Sequence, residues 1–142
     1  MRHVFGRVSA LGSDPEIQAH FARYLCVLAS GFLEVSVRSI LTEYSKSRAV
    51  PEIANFVEES LDEFQNPKMQ KILDWLRCFS AVWADEVERK TNGQLKDSVD
   101  SIVANRHQIA HGASVGVTPA RVRAFYEDAV KVVEMIEGVL GM

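Results

Sequence analysis

Hydrophobic residues recur at a spacing near 3.6 residues through almost the whole chain, and no stretch alternates with the two-residue period of a half-buried strand. The first such stripe predicts a helix that starts around Ser13 and runs to about Tyr44. A serine hydroxyl before Pro15 and an acidic Glu16 is a typical helix start. Beyond Gly31 the apolar residues surround the helix axis more fully. This part of the helix therefore needs a core on one side and a partner on another.

Four more helices follow, and prolines, capping side chains and glycines mark their ends. Their predicted limits are Pro51 to Phe64, Asn66-Pro67 to Thr91 with a bend at Ser80, Gln94 to His111 closed by Gly112, and Thr118-Pro119 to Leu140. With 142 residues the chain fits one domain. The sequence thus predicts an all-α, single up-and-down bundle of about five helices over residues 14–142, after an N-terminal extension of residues 1–13.

The charge of the chain limits how it can meet a nucleic acid. The formal net charge is −3, and residues 51–100 carry six basic against eleven acidic side chains, which is a net −5. Nucleic-acid binders are usually basic overall, so any contact with RNA must use a local positive site. We expect the acidic side chains to lie on solvated faces, where a basic partner protein is the other candidate ligand.

The sequence also bears on where the protein works. We find no secretory signal in residues 1–12 and no run of the roughly 18–20 uncharged apolar residues that a membrane span needs. Cys26 and Cys78 both fall in apolar helical patterns, so we expect them to be buried, reduced thiols. These features predict a cytoplasmic protein without membrane contact.

The fourth predicted helix carries an anomaly in its apolar stripe. With Leu95 as the angular origin, Val99, Ile102 and Ile109 lie within about 40° of it, and Arg106 falls at about 20°. A charged guanidinium thus stands where the pattern calls for an apolar side chain. Burying it unpaired costs several kcal/mol. Either Arg106 pairs with a carboxylate, or this face of the helix lines a wet groove.

Polar side chains flank this arginine. His107 and His111 lie near 120° and 160° on the same wheel, and Asn105 lies on the other flank. Imidazoles exchange protons near neutral pH, and a guanidinium holds phosphate oxygens with paired donors. The set suits cleavage of a phosphodiester without a metal. Because Arg106 and His111 are about 140° apart, a second copy of the motif from a dimer partner is the most economical way to complete the site.

The segment Arg106-His107-x-x-x-His111 resembles the R-x(4–6)-H motif of the HEPN superfamily. The sequence NRHQIAHG around it is most similar to the RiboL-PSP type and related toxin nucleases. The resemblance implies a HEPN-like bundle and a metal-independent endoribonuclease, commonly a toxin or anti-phage effector, that works as a homodimer without a cofactor. It assigns Arg106 and His111 to the two fixed catalytic positions and His107 to the polar one. The implied reaction is attack by the ribose 2′-OH on its neighbouring phosphate.

Two further residues and two further partners belong to this hypothesis. Asn105 is a supporting or RNA-binding candidate, or else a satisfied amide. Glu34 matches an acidic residue that some HEPN members place near the cleft, but its spacing from Arg38 fits a helical ion pair equally well. The implied partners besides RNA are a cognate antitoxin or a nucleotidyltransferase.

Other functions fit the same residues. A HEPN-type accessory module would use the motif to bind RNA or a partner without catalysis. In a purely structural dimer, Arg106 would form a buried salt bridge and His111 would satisfy the last helix carbonyls. His107 and His111 also have the i, i+4 spacing of metal ligands, with Asp100 as a third candidate. We expect no metal, because Gln108 stands where an H-E-x-x-H site has its acid.

Overall fold

The computed structural model describes residues 1–9 and 14–142. Over these residues the chain is built from α-helices and one short 3₁₀ turn, with no β-strand. The helices are α1 (Arg2–Ser9), α2 (Pro15–Arg48), α3 (Pro51–Ser60), α4 (Met69–Phe79), α5 (Ala81–Thr91), α6 (Gln94–Ala110) and α7 (Pro119–Leu140), and the 3₁₀ turn is Leu61–Glu63. The all-α prediction is confirmed, and the described helices number seven where about five were expected.

The long helix α2 runs unbroken through Gly31 and forms the centre of the bundle. The predicted cap Ser13 lies outside the described residues; the side chain of Asp14 accepts a hydrogen bond from the Glu16 N–H at 3.0 Å. One face of α2 is buried against α7, α6 and α3. By length and composition α2 is also apolar enough to cross a membrane, a property that core helices of soluble proteins share. Of its apolar 18-residue stretch, 44% is buried inside the bundle.

The third predicted helix is two helices, because the bend expected at Ser80 is a complete break. Ser80 has an extended backbone, with φ −160° and ψ 121°. Its hydroxyl accepts a hydrogen bond from the Trp83 N–H at 3.3 Å. Ser80 thus ends α4 and caps α5.

The predicted start of this region at Asn66-Pro67 is wrong. The helix α4 begins at Met69, and Asn66 has a left-handed backbone with φ 47°. The cap comes from another helix: Asp100 on α6 accepts a hydrogen bond from the Met69 N–H at 2.8 Å and also pairs with Lys96 at 3.0 Å. This contact fixes the start of α4 against the middle of α6.

The N-terminal residues contribute to the core. Phe5 on α1 is 2% exposed, and its ring lies 5.5 Å from that of Tyr126 on α7. The described part of the segment 1–13, expected as an extension ahead of the domain, therefore packs onto the bundle.

The two cysteines differ in environment. Cys26 is buried as predicted, and burial raises the pKa of its thiol to about 11. Its Sγ donates to the Ile102 carbonyl at 3.5 Å, which places α2 beside α6. Cys78 is exposed, so the prediction of a second buried thiol is wrong. Both are free thiols.

A buried carboxylate links α6 and α7. Burial by itself raises the pKa of Asp128, but hydrogen bonds from Ser98 at 2.6 Å and Gln94 at 3.1 Å, together with the charge of Lys131, outweigh it. The pKa is therefore lowered from its usual value of 3.8. A carboxylate with a lowered folded-state pKa stabilises the fold above its unfolded pKa, and this contribution is lost as the pH falls through the folded value.

We expect Asp128→Asn to destabilise the protein at neutral pH, and the gap to wild type to narrow as the pH falls below about 4. Urea unfolding at about pH 6 and about pH 3 measures this difference. Glu134→Gln, an exposed acid on the same helix, is the control and should show no such gap. A gap that stays constant with pH would contradict the role assigned to the Asp128 charge.

Candidate active site

The apolar stripe of α6 is buried in its first turns and emerges from the core in its last. Val99 and Ile102 are fully buried, whereas Arg106 and Ile109 are partly exposed. Within residues 1–9 and 14–142, the Arg106 side chain makes no hydrogen bond and no ion pair. The first arrangement that the sequence allows, a carboxylate pair, is absent among the described residues, and Arg106 lies partly exposed at the edge of the core. Its guanidinium is therefore available to an anionic ligand.

The two histidines lie side by side at the end of α6. Both are exposed, and their ring centroids are 4.4 Å apart in an edge-to-face arrangement. Among the described residues neither imidazole has a hydrogen-bond partner, so the ring nitrogens are open to a ligand or substrate. The bonds that close the helix come from the backbone N–H of His111, to the carbonyls of His107 and Gln108 at 3.2 Å. The imidazole of His111 takes no part in them.

Gly112 fixes the end of this helix, as predicted. Its φ of 75° is left-handed, its N–H bonds the Ile109 carbonyl at 3.0 Å, and the Ala113 N–H bonds the Gln108 carbonyl at 2.9 Å. This pair of bonds is the Schellman motif, which favours glycine at the left-handed position. The motif holds His111 as the last residue before the chain turns away.

We expect Gly112→Ala to lower the free energy of unfolding by about 1 kcal/mol, because alanine is strained at a left-handed backbone position. Urea unfolding followed by circular dichroism measures the change. Gly116→Ala is the matched control, since a Cβ there also meets nothing within 4 Å and its backbone is not left-handed. Equal free energies of unfolding for the two variants would contradict the role assigned to the left-handed backbone at Gly112.

His107 also lines a pocket between α6 and the start of α4, which we call the lysine pocket. It has a volume of about 530 Å³, and its lining residues are Asn66, Lys68, Lys71, Val103, Ala104, His107 and Gln108. The sequence does not predict the members from the segment 66–71 as site residues. Nothing in their local pattern connects them to a motif more than thirty residues away, because the contact exists only once α4 docks on α6.

Glu34 holds the loop that forms one side of the lysine pocket. Its carboxylate pairs with Arg38 at 3.1 Å, as the four-residue spacing predicts, and also accepts a hydrogen bond from the Asn66 N–H at 2.8 Å. Arg38 in turn donates to the Phe64 carbonyl at 2.7 Å. Glu34 therefore holds the loop that carries Asn66 and is not itself among the residues that line the pocket.

Asn105 lies on the other side of α6. Its side chain donates to the Ser101 carbonyl at 2.8 Å, and it lines a second pocket of about 520 Å³ with Arg121 and Phe125. The structure thus brings Arg106, His107 and His111 to one helix end but puts Asn105 and His107 in different pockets.

The metal alternative gains no support from the geometry. The part of the chain that the structure describes contains no group of three or more His, Cys, Asp or Glu arranged to hold a metal ion. Asp100, the third candidate ligand, is engaged with the Met69 N–H and Lys96.

Comparison with protein families identifies a family to which the chain is similar. The family model described as RiboL-PSP-HEPN matches residues 5–141, which is nearly the whole chain and includes the complete motif. Neither the comparison with curated proteins nor that with solved structures returned a match.

Proposed function

The chain belongs to the RiboL-PSP-HEPN family, and on that premise we propose that it is a metal-independent endoribonuclease that acts as a homodimer. Domains of this superfamily are often ribonucleases or RNA-binding modules and commonly act as dimers. The observation that supports catalysis here is that, among the described residues, the Arg106 guanidinium has no counter-ion and the imidazoles of His107 and His111 at the same helix end have no hydrogen-bond partner.

The side chains match the needs of phosphodiester cleavage. Arg106 binds the non-bridging phosphate oxygens and stabilises the charge that develops on them. His111 is the principal proton-transfer group, and His107 orients the RNA or shares the acid–base work. The ribose 2′-oxygen forms a bond to phosphorus as the bond from phosphorus to the 5′-oxygen breaks. The proton of the 2′-OH goes to the general base, and the 5′-oxygen receives one from the general acid, which leaves a 2′,3′-cyclic phosphate and a 5′-OH.

An exposed apolar stripe on α2 supports the dimer. Ile17, Tyr24, Val27 and Val35 are each at least 41% exposed. They follow a spacing close to a heptad, with the exposed Gly31 between them. Exposed apolar seams of this kind mark protein interfaces.

We further propose a biological role in a toxin–antitoxin or anti-phage system of the cytoplasm. The acidic surface of residues 51–100 suits a basic antitoxin, and a nucleotidyltransferase is the other candidate partner. If this is right, expression in a bacterial host arrests growth, and Arg106→Ala relieves the arrest. Growth unaffected by the wild-type protein would count against the toxin role.

The direct test of the enzyme is incubation of the purified protein with end-labelled single-stranded RNA in EDTA. We expect cleavage, with 2′,3′-cyclic phosphate and 5′-OH ends on the fragments. RNA that stays intact but is bound would favour the accessory module instead. Cleavage that stops in EDTA and returns with a divalent cation would contradict the metal-independent mechanism.

A further inference from the structure

The lysine pocket is positively charged in a chain that is negative overall. Its lining includes the two cationic side chains of Lys68 and Lys71, and no acidic side chain lines it. The chain as a whole carries a net −3, and the segment 51–100 that supplies both lysines carries six basic against eleven acidic residues. This pocket is therefore a local exception to the charge around it.

The charges of the two lysines are not neutralised. Within the described residues the ammonium group of Lys68 has no hydrogen-bond or ion-pair partner. The ammonium of Lys71 donates to the Gln65 carbonyl at 3.0 Å, which is a neutral acceptor. Two ammonium groups without a carboxylate at a pocket rim favour an anionic ligand, and a phosphodiester backbone supplies one charge per nucleotide.

The rest of the lining suits a nucleobase. Val103 and Ala104 give an apolar wall, and the side-chain amides of Asn66 and Gln108 make no hydrogen bond to any described residue. A flat base packs on apolar side chains, and amides bond the donor and acceptor edges of unpaired bases. The volume of about 530 Å³ lies within the usual range for small-ligand pockets.

The pocket also opens on the motif. His107 is a lining residue, and its ring lies 4.4 Å from that of His111. A nucleotide bound here would bring its neighbouring phosphate towards the two imidazoles. The hydrogen bond from the Asn66 N–H to Glu34 holds the loop that forms this side of the pocket.

We infer that the lysine pocket is a subsite for one nucleotide of single-stranded RNA next to the scissile phosphate. Lys68 and Lys71 bind its phosphate, Asn66 and Gln108 contact its base, and Glu34 is a positioning residue that acts through the loop. This inference rests on the proposed nuclease function, so its test must separate binding from cleavage.

The test uses a fully 2′-O-methylated RNA oligonucleotide, which lacks the attacking hydroxyl and stays intact. We expect Lys68→Ala/Lys71→Ala to weaken its binding about tenfold, since bonds to charged groups are the strong ones. The slope of log affinity against log salt should fall by about 0.7 for each lost phosphate contact. Fluorescence anisotropy at several salt concentrations measures both, and thermal unfolding confirms the fold. Lys68→Ala alone changes an exposed side chain that has no partner among the described residues, and it covers the case in which the double variant fails to fold.

Lys46→Ala/Lys90→Ala is the matched control. It removes the same charge from two exposed lysines outside the pocket, which pair with Glu58 and Glu86. Equal loss of binding in both double variants would overturn the subsite, because only the net charge would then matter.

Cleavage assays separate the subsite from the nuclease. With a cleavable RNA, the double variant should raise KM and leave kcat nearly unchanged. Asn66→Gly keeps the left-handed backbone and removes the amide, so it should alter the base preference at one position next to the cleavage site. If wild type cleaves and the pocket variants match it in binding and preference, the nuclease stands and the subsite fails. If wild type never cleaves but the pocket variants lose binding, the pocket is an RNA-binding site, and the nuclease function is overturned together with the place of the pocket next to a scissile phosphate.

Discussion

Replacing His111 with alanine is expected to lower the rate of RNA cleavage by about 10²–10⁴-fold, the usual contribution of a general acid or base. Stability should not change, because the imidazole is exposed and the bonds that end α6 come from the backbone. Single-turnover cleavage of labelled RNA gives the rate, and thermal unfolding followed by circular dichroism gives the stability. A rate equal to that of wild type would remove His111 from the mechanism.

Two controls sharpen this result. His3→Ala removes another exposed imidazole, on α1, and should cleave as wild type does. A mixture of His111→Ala and Arg106→Ala chains tests the composite site. If one subunit supplies Arg106 and its partner supplies His111, mixed dimers contain one intact site and recover part of the activity. No recovery after subunit exchange would place both groups in the same chain.

The parts of the fold that the sequence predicts are those whose signals are local. The start of α7 follows from a hydroxyl and a proline: Thr118 caps the Arg121 N–H at 3.2 Å, and Pro119 is the first helical residue. The end of α6 is also predicted by a local signal, which is the glycine at position 112. The start of α4 is different, because its cap is Asp100, whose side chain comes from another helix. No local pattern contains that contact.

The prediction that Cys78 is buried rests on the apolar residues around it and not on its own position on the helix wheel. Cys78 is nine residues after the buried Met69, which puts it about 180° away on the wheel. Its exposure follows from this position, which the sequence alone contains.

The candidate site likewise contains residues that a local pattern predicts and residues that only the fold brings together. Arg106, His107 and His111 lie within one helical segment, so a motif and a helix wheel were enough to find them. Lys68 and Lys71 were missed because the docking of α4 on α6 brings them to His107. Glu34 was found as a candidate, but its actual contacts with Arg38 and Asn66 required the fold.

Arg106→Leu is expected to lower cleavage by about 10²–10³-fold, the cost of removing a donor that stabilises the transition-state charge. Its effect on stability should be neutral or favourable. Arg106 continues the apolar stripe from Ile102 and has no counter-ion among the described residues, so leucine adds apolar burial and leaves no charge unpaired. Arg106→Lys keeps the charge without the forked donors and should retain only part of the activity.

Arg38→Leu is the matched control, and its expected sign is the opposite. Arg38 is bonded to the Glu34 carboxylate and the Phe64 carbonyl, so the same substitution leaves a partly buried acid without its partner and destabilises the fold. Urea unfolding of both variants compares an arginine that holds structure with one that does not. A purely structural role for Arg106 requires it to behave as Arg38 does. A variant at Arg106 that is inactive but at least as stable as wild type places this guanidinium in catalysis. The arginine would then lower the stability of the fold and serve only to bind the substrate, which is the trade-off expected of a functional residue.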